Sequence, residues 1–360
     1  MMLFVISPTE ITREKSVLWV KGEYHDDFAD VRKASRDGLS RQNQPHLFDR
    51  LDWIEPLYKY CLSGYPPLYV RARAEGAEAW LFLYHRRTGE YQALANWYNF
   101  TFRPVFIGDP DEKTKLALLK AMARRLRTRA AHIVLNPVPD EEGLIELVTR
   151  AFRSAGWAVA AQAVDINHFL EVGDRDFDNY WYARPGALRS TVDRKASKFP
   201  VNIEILSHFS PDMWADYEEV YENSWKPEEG SLPFLRALAE QEGEAGNLRI
   251  GIARSNGKAV AAQFWTVDNG IALIHKLAHR KDAAAGSPGT LLSHAMFCHV
   301  IDVDKVRRID FGTGDDSYKR DWMEEERPLY KIDLYNLRRP SSWFPALKSC
   351  ISALVRCRKT

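Results

Sequence analysis

The chain has 360 residues, 45% hydrophobic and 28% charged, which is long enough for two soluble domains with separate cores. Its formal net charge of +1 excludes an electrostatic basis for general binding to DNA. The four cysteines form no Cys-x-x-Cys pair, which excludes a disulfide framework and a cysteine-based zinc site and favours reduced thiols.

The location of the protein is predicted from two negative features of the sequence. Residues 1–8 lack a basic leader, and their apolar run is too short for a signal peptide. No segment approaches the roughly 20 apolar residues that a membrane-spanning helix needs. We therefore expect a cytoplasmic protein, either dissolved or attached peripherally at the inner face of the membrane.

Strand-like and helical patterns alternate along the first half of the chain. Three strands are predicted at 67–73, 79–84 and 91–96, and a helix follows at 112–128. A fourth strand is predicted at 132–135, followed by a helix at 141–155.

The second half repeats this pattern without evident sequence identity. The predicted strands are 163–172, 201–206, 248–253, 259–266, 271–279 and 307–311, and the predicted helices are 180–198, 212–225, 233–242 and 288–301. The fold class is therefore α+β (mixed α/β).

The C-terminal tail, residues 337–360, is basic and carries no acidic residue. Its apolar residues recur at helical spacing, so it is a candidate amphipathic helix on an anionic membrane surface. The alternative, which the pattern slightly favours, is a helix that packs its apolar stripe on the domain.

A small-residue loop follows the predicted strand 271–279 and opens a helix. Ser287 is a predicted N-cap and Pro288 a predicted first helical residue. Gly286 and Gly289 allow a ligand to approach the backbone, and the first free N–H groups can hold an anion. We predict a pyrophosphate site at Gly286, Ser287, Pro288, Gly289 and Thr290, with Arg280 adding positive charge beside it, and we expect the rest of the ligand to lie along Leu277, Ala278 and His279.

Three motifs together resemble the GNAT acyltransferases. They are the run 274–292 with Ser-Pro-Gly-Thr-Leu-Leu, the run 309–322 (Ile-Asp-Phe-Gly-Thr-Gly-Asp-Asp-Ser-Tyr-Lys-Arg-Asp-Trp), and Asn223-Ser-Trp-Lys226. The chain is most similar to the branch known as cellulose-biosynthesis-associated acetyltransferases, which resembles the Fem peptidyltransferases. The resemblance covers roughly residues 165–336 and is weaker before them.

The resemblance implies two tandem GNAT-like domains, each a mostly antiparallel central sheet flanked by helices. We expect a degenerate first domain at 1–156, a second domain with the acyl-CoA site at 157–336, and the tail at 337–360. In such a domain the donor lies between two splayed strands, here 271–279 and 307–311. Acyl-CoA is then a co-substrate, and no permanently bound cofactor or metal is expected.

The catalytic candidates lie at the ends of these two strands. The resemblance suggests Tyr318 as the general acid to the thiolate, with a tyrosine packed at the sheet edge as the alternative. Lys319 is a candidate to polarise the carbonyl or bind phosphate, or else a surface lysine. Asp315 and Asp316 are candidates to accept the amine's proton, but aspartates are also common turn formers.

His275 and Lys276 are consecutive strand residues, so one of the two is expected to face the cleft. His275 has the intrinsic pKa of a general base, with a core histidine as the alternative. Lys276, Trp225, Lys226 and Arg184 are candidate substrate-binding residues, although solvated charges and plain aromatic packing would give the same pattern.

We therefore predict an N-acyltransferase in which an amine attacks the acyl-CoA thioester directly. The acceptor is left open between a sphingoid-type lipid amine, as in bacterial ceramide-forming enzymes, and an amino sugar. A Fem-like enzyme that uses aminoacyl-tRNA is the first alternative, and the near-neutral charge argues mildly against a tRNA partner. A GNAT-like binding or scaffold protein is the second alternative.

Overall fold

The structure is a computed structural model that describes residues 20–349. One sheet of thirteen strands runs through both halves of the chain, and helices flank it, as predicted for an α+β fold. The strands are β1 (Lys21–His25), β2 (Pro67–Ala74), β3 (Ala77–Arg87), β4 (Glu90–Ala93), β5 (Val105–Ile107), β6 (His132–Pro139), β7 (Trp157–Glu171), β8 (Asn202–Leu206), β9 (Leu248–Ser255), β10 (Lys258–Asp268), β11 (Ile271–His279), β12 (Arg308–Thr313) and β13 (Glu325–Asn336).

The helices connect these strands. They are α1 (Phe28–Ser35), α2 (Leu51–Leu57), α3 (Glu112–Leu126), α4 (Leu144–Ser154), α5 (Phe177–Tyr182), α6 (Gly186–Lys198), α7 (Pro211–Glu222), α8 (Leu232–Glu244), α9 (Pro288–Cys298) and α10 (Lys319–Trp322). The predicted helix 180–198 is interrupted between α5 and α6, because Pro185 has no N–H to continue the first helix.

The pattern of parallel and antiparallel pairs in the sheet is nearly the same when it is followed from either edge. The strand order is β1-β2-β3-β4-β6-β13-β7-β12-β11-β10-β9-β8, and β5 pairs with β3. Each half has one parallel pair, β4 with β6 and β11 with β12, and the other pairs are antiparallel. The two halves therefore repeat the same arrangement about the centre of the sheet.

The halves exchange strands at that centre. The last strand, β13, pairs with β6 of the first half, whereas β7 pairs with β12 of the second half. Trp157, Val159, Ile332 and Leu334 pack into the hydrophobic core under α3 and α4. The core of the first half thus contains residues beyond position 156, and the division into domains at that position stays a prediction.

Three hydrophobic clusters define the layers. One face of the sheet, the front, is covered by α1, α2, α7 and α8, whose cluster is shared by both halves. The opposite face, the back, is covered by α3 and α4 in the first half and by α9 in the second. Because a strand's side chains alternate between the faces, these clusters show to which side each site residue points.

A buried polar network joins the halves beside β12. The Asp310 carboxylate accepts hydrogen bonds from Asn167 on β7 at 2.7 Å and from Arg327 on β13 at 2.9 Å. Arg327 also pairs with Glu141 of the first half, which in turn accepts from Arg103 at 2.9 Å. The end of β12 is therefore held by both halves.

The described part of the tail exposes its apolar residues. Residues 343–349 are helical, and Trp343, Phe344 and Leu347 are 58%, 77% and 60% exposed. The packed stripe that the pattern favoured is therefore wrong for these residues. Residues 350–360 and the N-terminal segment 1–8 lie outside the described residues. Among residues 20–349, no helix has the length and apolar character needed to cross a membrane.

Candidate functional site

The parallel strands β11 and β12 part after a short paired stretch. They pair only at Ile271–Arg308, Ala272–Ile309 and Leu273–Asp310. Beyond Leu273, β11 stays bonded to β10 as far as His279, while β12 stays with β7. The predicted splay is confirmed, and it leaves one edge of residues 274–279 facing an opening in the sheet.

Asp310 and Gly312 turn β12 away from β11. The Asp310 carboxylate accepts from the Gly312 N–H at 2.8 Å, and the register between β12 and β7 shifts at this point. Gly312 has φ +71°, and a Cβ there would lie 2.9 Å from the ring of Phe100. Glycine is therefore required at position 312 both for the backbone and for the contact with the first half.

A β-bulge places His275 and Lys276 on the same face. Ile274 pairs with Trp265 and Lys276 with Phe264, which leaves His275 as the extra residue of the bulge. Phe264 belongs to the front cluster, and both His275 and Lys276 contact front residues. The expectation that the two side chains point to opposite faces of the strand is wrong, because strict alternation fails at a bulge.

His275 is a core histidine. Its Nε2 lies 2.9 Å from the Thr266 hydroxyl, and its ring packs against Trp53, Phe100 and Phe264. Burial, and to a smaller extent the charge of Lys276, lowers its pKa to about 3. A ring with such a pKa accepts protons poorly at neutral pH, so the role predicted for His275 as general base is corrected.

The loop after β11 leads into the first turn of α9 on the back of the sheet. Pro288 is the first residue of α9, as predicted. Ser287 occupies the N-cap position, but its φ is +52° and its side chain makes no capping hydrogen bond, so the predicted cap is wrong. The Ser287 hydroxyl thus caps none of the N–H groups of this turn, although the Thr290 N–H donates to the Ser287 carbonyl at 3.1 Å.

Gly289 lies against the end of β11. A Cβ at Gly289 would be 3.1 Å from His279 Nδ1, closer than ordinary side-chain contacts. On β11 itself, Leu277 packs on the back cluster and Ala278 belongs to the front one. The first turn of α9 and the free edge of β11 are therefore adjacent.

The charge beside this loop comes from a residue that the sequence did not single out for it. Arg280 is buried and paired with Glu219 at 2.8 Å and Asp282 at 3.1 Å, so its predicted role in anion binding is corrected. Lys195 on α6 instead donates to the carbonyl of Ala285. Gly286 lies against Phe199, which continues from the same helix.

Tyr318 stands at the end of β12. Its side chain is 40% exposed, and its ring packs edge-on against Phe311 with centroids 5.6 Å apart. Burial, with a smaller contribution from the charge of Asp316, raises its pKa to about 12. The phenol therefore keeps its proton at neutral pH.

Lys319 holds the turn in place. It is 4% exposed and donates to the carbonyls of Thr313 and Gly314, the latter at 3.0 Å. Asp316 lies 3.8 Å from the same ammonium. Lys319 is neither the surface lysine of the alternative nor free to polarise a carbonyl, so that prediction is corrected.

Asp315 belongs to a surface ion-pair network. It lies 3.1 Å from His168 Nε2 and pairs with Arg320, which also pairs with Glu326. These contacts do not leave Asp315 as a free proton acceptor, and its predicted role is corrected. His168, Asp315 and Glu326 are close enough to share a metal ion, but the Arg320 guanidinium already bridges the two carboxylates.

The loop between α7 and α8, residues 223–231, covers the front of the opening. Trp225 is 48% exposed, and its ring lies 4.2 Å from that of His279. Lys276 pairs with Glu229 at 2.8 Å, and Tyr98 of the first half donates to the same carboxylate at 2.6 Å. Trp225 and Lys276 therefore lie at the opening, and the loop is tied both to β11 and to the first half.

Arg184 does not belong to this group. It is buried, pairs with Glu324 and packs on the ring of Tyr180. These contacts hold α5 to the beginning of β13. The prediction that Arg184 binds the acceptor is corrected, because its charge is already neutralised in the core.

The equivalent opening in the first half is filled. Strands β4 and β6 also pair at only three positions. The segment after β4 then links β3 to β6, since Leu94 N–H donates to Phe82 on β3 and Phe102 N–H donates to Pro137 on β6. The corresponding helix, α3, begins with Glu112 and is capped by the Asp111 carboxylate at 2.8 Å, which disfavours an anion.

Comparison with known proteins supports this geometry. Residues 180–320 match the family model of the acetyltransferase (GNAT) domain. This segment of the chain is therefore similar to GNAT acetyltransferase domains. No curated protein sequence matches the chain.

Solved structures share the fold along nearly the whole chain. FemX is 10% identical with a TM-score of 0.59, and the match covers 90% of this chain and all of FemX, 100%. The C-terminal domain of a putative lysylphosphatidylglycerol synthetase from Agrobacterium fabrum is 14% identical with a TM-score of 0.55, covering 91% and 97%. L-PGS from Bacillus licheniformis is 14% identical with a TM-score of 0.50, covering 78% and 86%. At these identities the likeness shows the fold alone.

Proposed function

We propose that the protein is an acyl-CoA-dependent N-acyltransferase whose acceptor is an amine. The observation that carries this proposal is the parting of β11 and β12 beside the first turn of α9. A free strand edge suits the amide groups of a pantetheine chain, and a helix N-terminus suits a pyrophosphate. In the first half, the corresponding space beside β6 is occupied by the segment 94–102.

The chemistry is a direct transfer in a ternary complex. The neutral amine attacks the thioester carbonyl, the carbon–sulfur bond breaks, and the acyl group becomes an amide. The departing thiolate takes a proton from the Tyr318 hydroxyl, since a phenol with an ordinary pKa of about 10 is already protonated at neutral pH. The proton that the amine loses passes to solvent or restores the phenol.

The acceptor enters from the front. The donor's phosphates are assigned to α9 on the back, whereas Lys276 and residues of the first half border the opening on the front. A sphingoid-type lipid amine and an amino sugar both remain candidates. A Fem-like enzyme with an aminoacyl-tRNA donor is the alternative, and donor binding separates the two.

We also propose that the tail lets the protein touch the inner face of the membrane. Trp343, Phe344 and Leu347 are exposed beside the basic residues Arg338 and Lys348. Apolar side chains flanked by cations suit an anionic lipid surface. A lipid amine or a long-chain donor would be met at such a surface.

The donor site is tested by titrating the protein with acetyl-CoA, palmitoyl-CoA and CoA in a calorimeter. We expect binding that Gly289→Glu weakens at least about a hundredfold, because a carboxylate would meet the donor's phosphates and His279. Gly186→Glu is the matched control, since Gly186 also begins a helix and a Cβ there has no neighbour within 4 Å. Absence of binding to all three compounds would contradict the donor assignment and favour aminoacyl-tRNA.

The role of Tyr318 is tested by Tyr318→Phe. We expect turnover with a bound amine to fall about a hundredfold or more, while donor affinity stays near that of the wild type. Tyr182→Phe changes an exposed tyrosine on α5 and serves as the control. Unchanged turnover in Tyr318→Phe would exclude the phenol as the acid.

The membrane contact is tested by sedimentation with phosphatidylcholine vesicles that contain or lack phosphatidylserine. We expect binding to the anionic vesicles only, weakened at least about tenfold by Phe344→Ser with Leu347→Ser, which remove apolar area from the contact. Val303→Ser, at another exposed apolar residue, is the control. Equal sedimentation of all variants would refute a contact through the tail.

A further inference from the structure

Three lysines from separate segments of the second half lie close enough for their charges to interact. Lys276 comes from β11, Lys319 from the start of α10, and Lys226 from the loop 223–231. The charges of Lys276 and Lys319 both act on Lys226. Like charges gathered at a half-buried place are unfavourable unless anions offset them.

Two of these lysines have partners within the chain. Lys276 pairs with Glu229, whose other oxygen accepts from Tyr98. Lys319 donates to two backbone carbonyls and lies 3.8 Å from Asp316. The ammonium groups of Lys276 and Lys319 are therefore already bound by groups of the fold.

Lys226 has no such partner. Between residues 20 and 349, no carboxylate lies within ion-pair distance of its ammonium, which sits 5.8 Å over the ring of Trp225. The charged and titratable groups that face it are Lys276 and His279 on β11, Lys319 and Asp316 beside β12, and Glu229 in its own loop. Glu229 and Asp316 are already engaged by the other two lysines.

We propose that Lys226 binds an anionic group, a phosphate or carboxylate, carried by the amine acceptor. This inference rests on the proposed function, which assigns the donor's phosphates to α9 on the back of the sheet. Lys226 belongs to the loop 223–231, which Glu229 ties to Lys276 and Tyr98 on the front, where the acceptor enters. An anion there would offset the surplus charge and accept hydrogen bonds from the ammonium. The substrate class is then an amine that also carries a negative charge.

The proposal has a pH signature. Burial, followed by the charges of Lys276 and Lys319, lowers the pKa of Lys226 to about 8. A bound anion favours the charged form and raises that pKa again, so binding takes up a proton above pH 8. Between pH 7.5 and 9 the charged fraction of free Lys226 falls from about three quarters to about one tenth. The contribution of Lys226 to affinity falls with it, roughly eightfold.

Matched amines with and without a phosphate test the inference. Phosphoethanolamine and ethanolamine are titrated into the CoA-saturated protein at pH 7.5 and pH 9. We expect the phosphorylated amine to bind at least about tenfold more tightly at pH 7.5. Lys226→Met should abolish this preference, whereas Lys226→Arg should keep it and remove its loss at pH 9, because arginine does not deprotonate. Lys113→Met, at an exposed lysine of α3, is the control.

The result can be separated from that of the proposed function. If CoA does not bind, the proposed function fails, and the same titration without CoA still decides whether Lys226 binds the phosphate. Equal affinity for the two amines, or a preference unchanged in Lys226→Met, would overturn the inference. A Lys226→Met variant that loses CoA affinity but keeps the preference would assign Lys226 to the donor and overturn it too. Acetylation rates of glucosamine 6-phosphate relative to glucosamine should follow the same pattern in the three forms.

Discussion

The opening in the sheet depends on the buried carboxylate of Asp310. This side chain accepts the Gly312 N–H at the place where β12 bends away from β11. The same carboxylate ties β12 to β7 and β13 through Asn167 and Arg327. Leaving one partner of a buried charge pair unpaired costs about 3–5 kcal/mol, so the bend is strongly fixed. Tyr318, the free edge of β11 and the approach to α9 all take their positions from that bend.

The two halves share an architecture but not a site. Both contain a parallel pair that parts after three residues, yet only the second half leaves the space between its strands open. In the first half, Phe102 occupies the corresponding position and bonds to β6. The first half instead supplies Tyr98 and Phe100 to the front of the second. One repeat is thus suited to bind the donor and the other to shape the acceptor side.

The sequence predicted the parts of this site that depend on local signals. Strand β11 has the predicted bounds, and α9 begins at Pro288, because alternation and Pro-Gly chemistry act within a few residues. The break between α5 and α6 follows from Pro185, which is itself a local signal for the end of a helix. By contrast, the bulge that turns His275 into the core depends on the register with β10, which the pattern of β11 alone does not contain.

Long-range pairing explains the remaining differences. Arg184, Arg280 and Lys319 looked available as charges, but their partners lie in other elements or in the backbone, and the charges are neutralised inside the fold. The sequence did not predict the contact between Tyr98 and Glu229, because their hydrogen bond spans 131 positions and neither residue belongs to a motif. Which charge at the opening lacks a partner therefore depends on this three-dimensional pairing, which the sequence does not contain. Among the described residues at the opening, Lys226 is left without an ion-pair partner.

A crystal structure of the protein with CoA would test the central claim most directly. We expect the pantetheine of CoA to lie between residues 274–279 of β11 and the end of β12, with the pyrophosphate at Gly289 and the sulfur near the Tyr318 hydroxyl. Binding of CoA elsewhere, or an opening still without CoA at saturating concentration, would contradict it. The first result would establish the parting of β11 and β12 as the donor site, and the second would reassign the opening to another ligand.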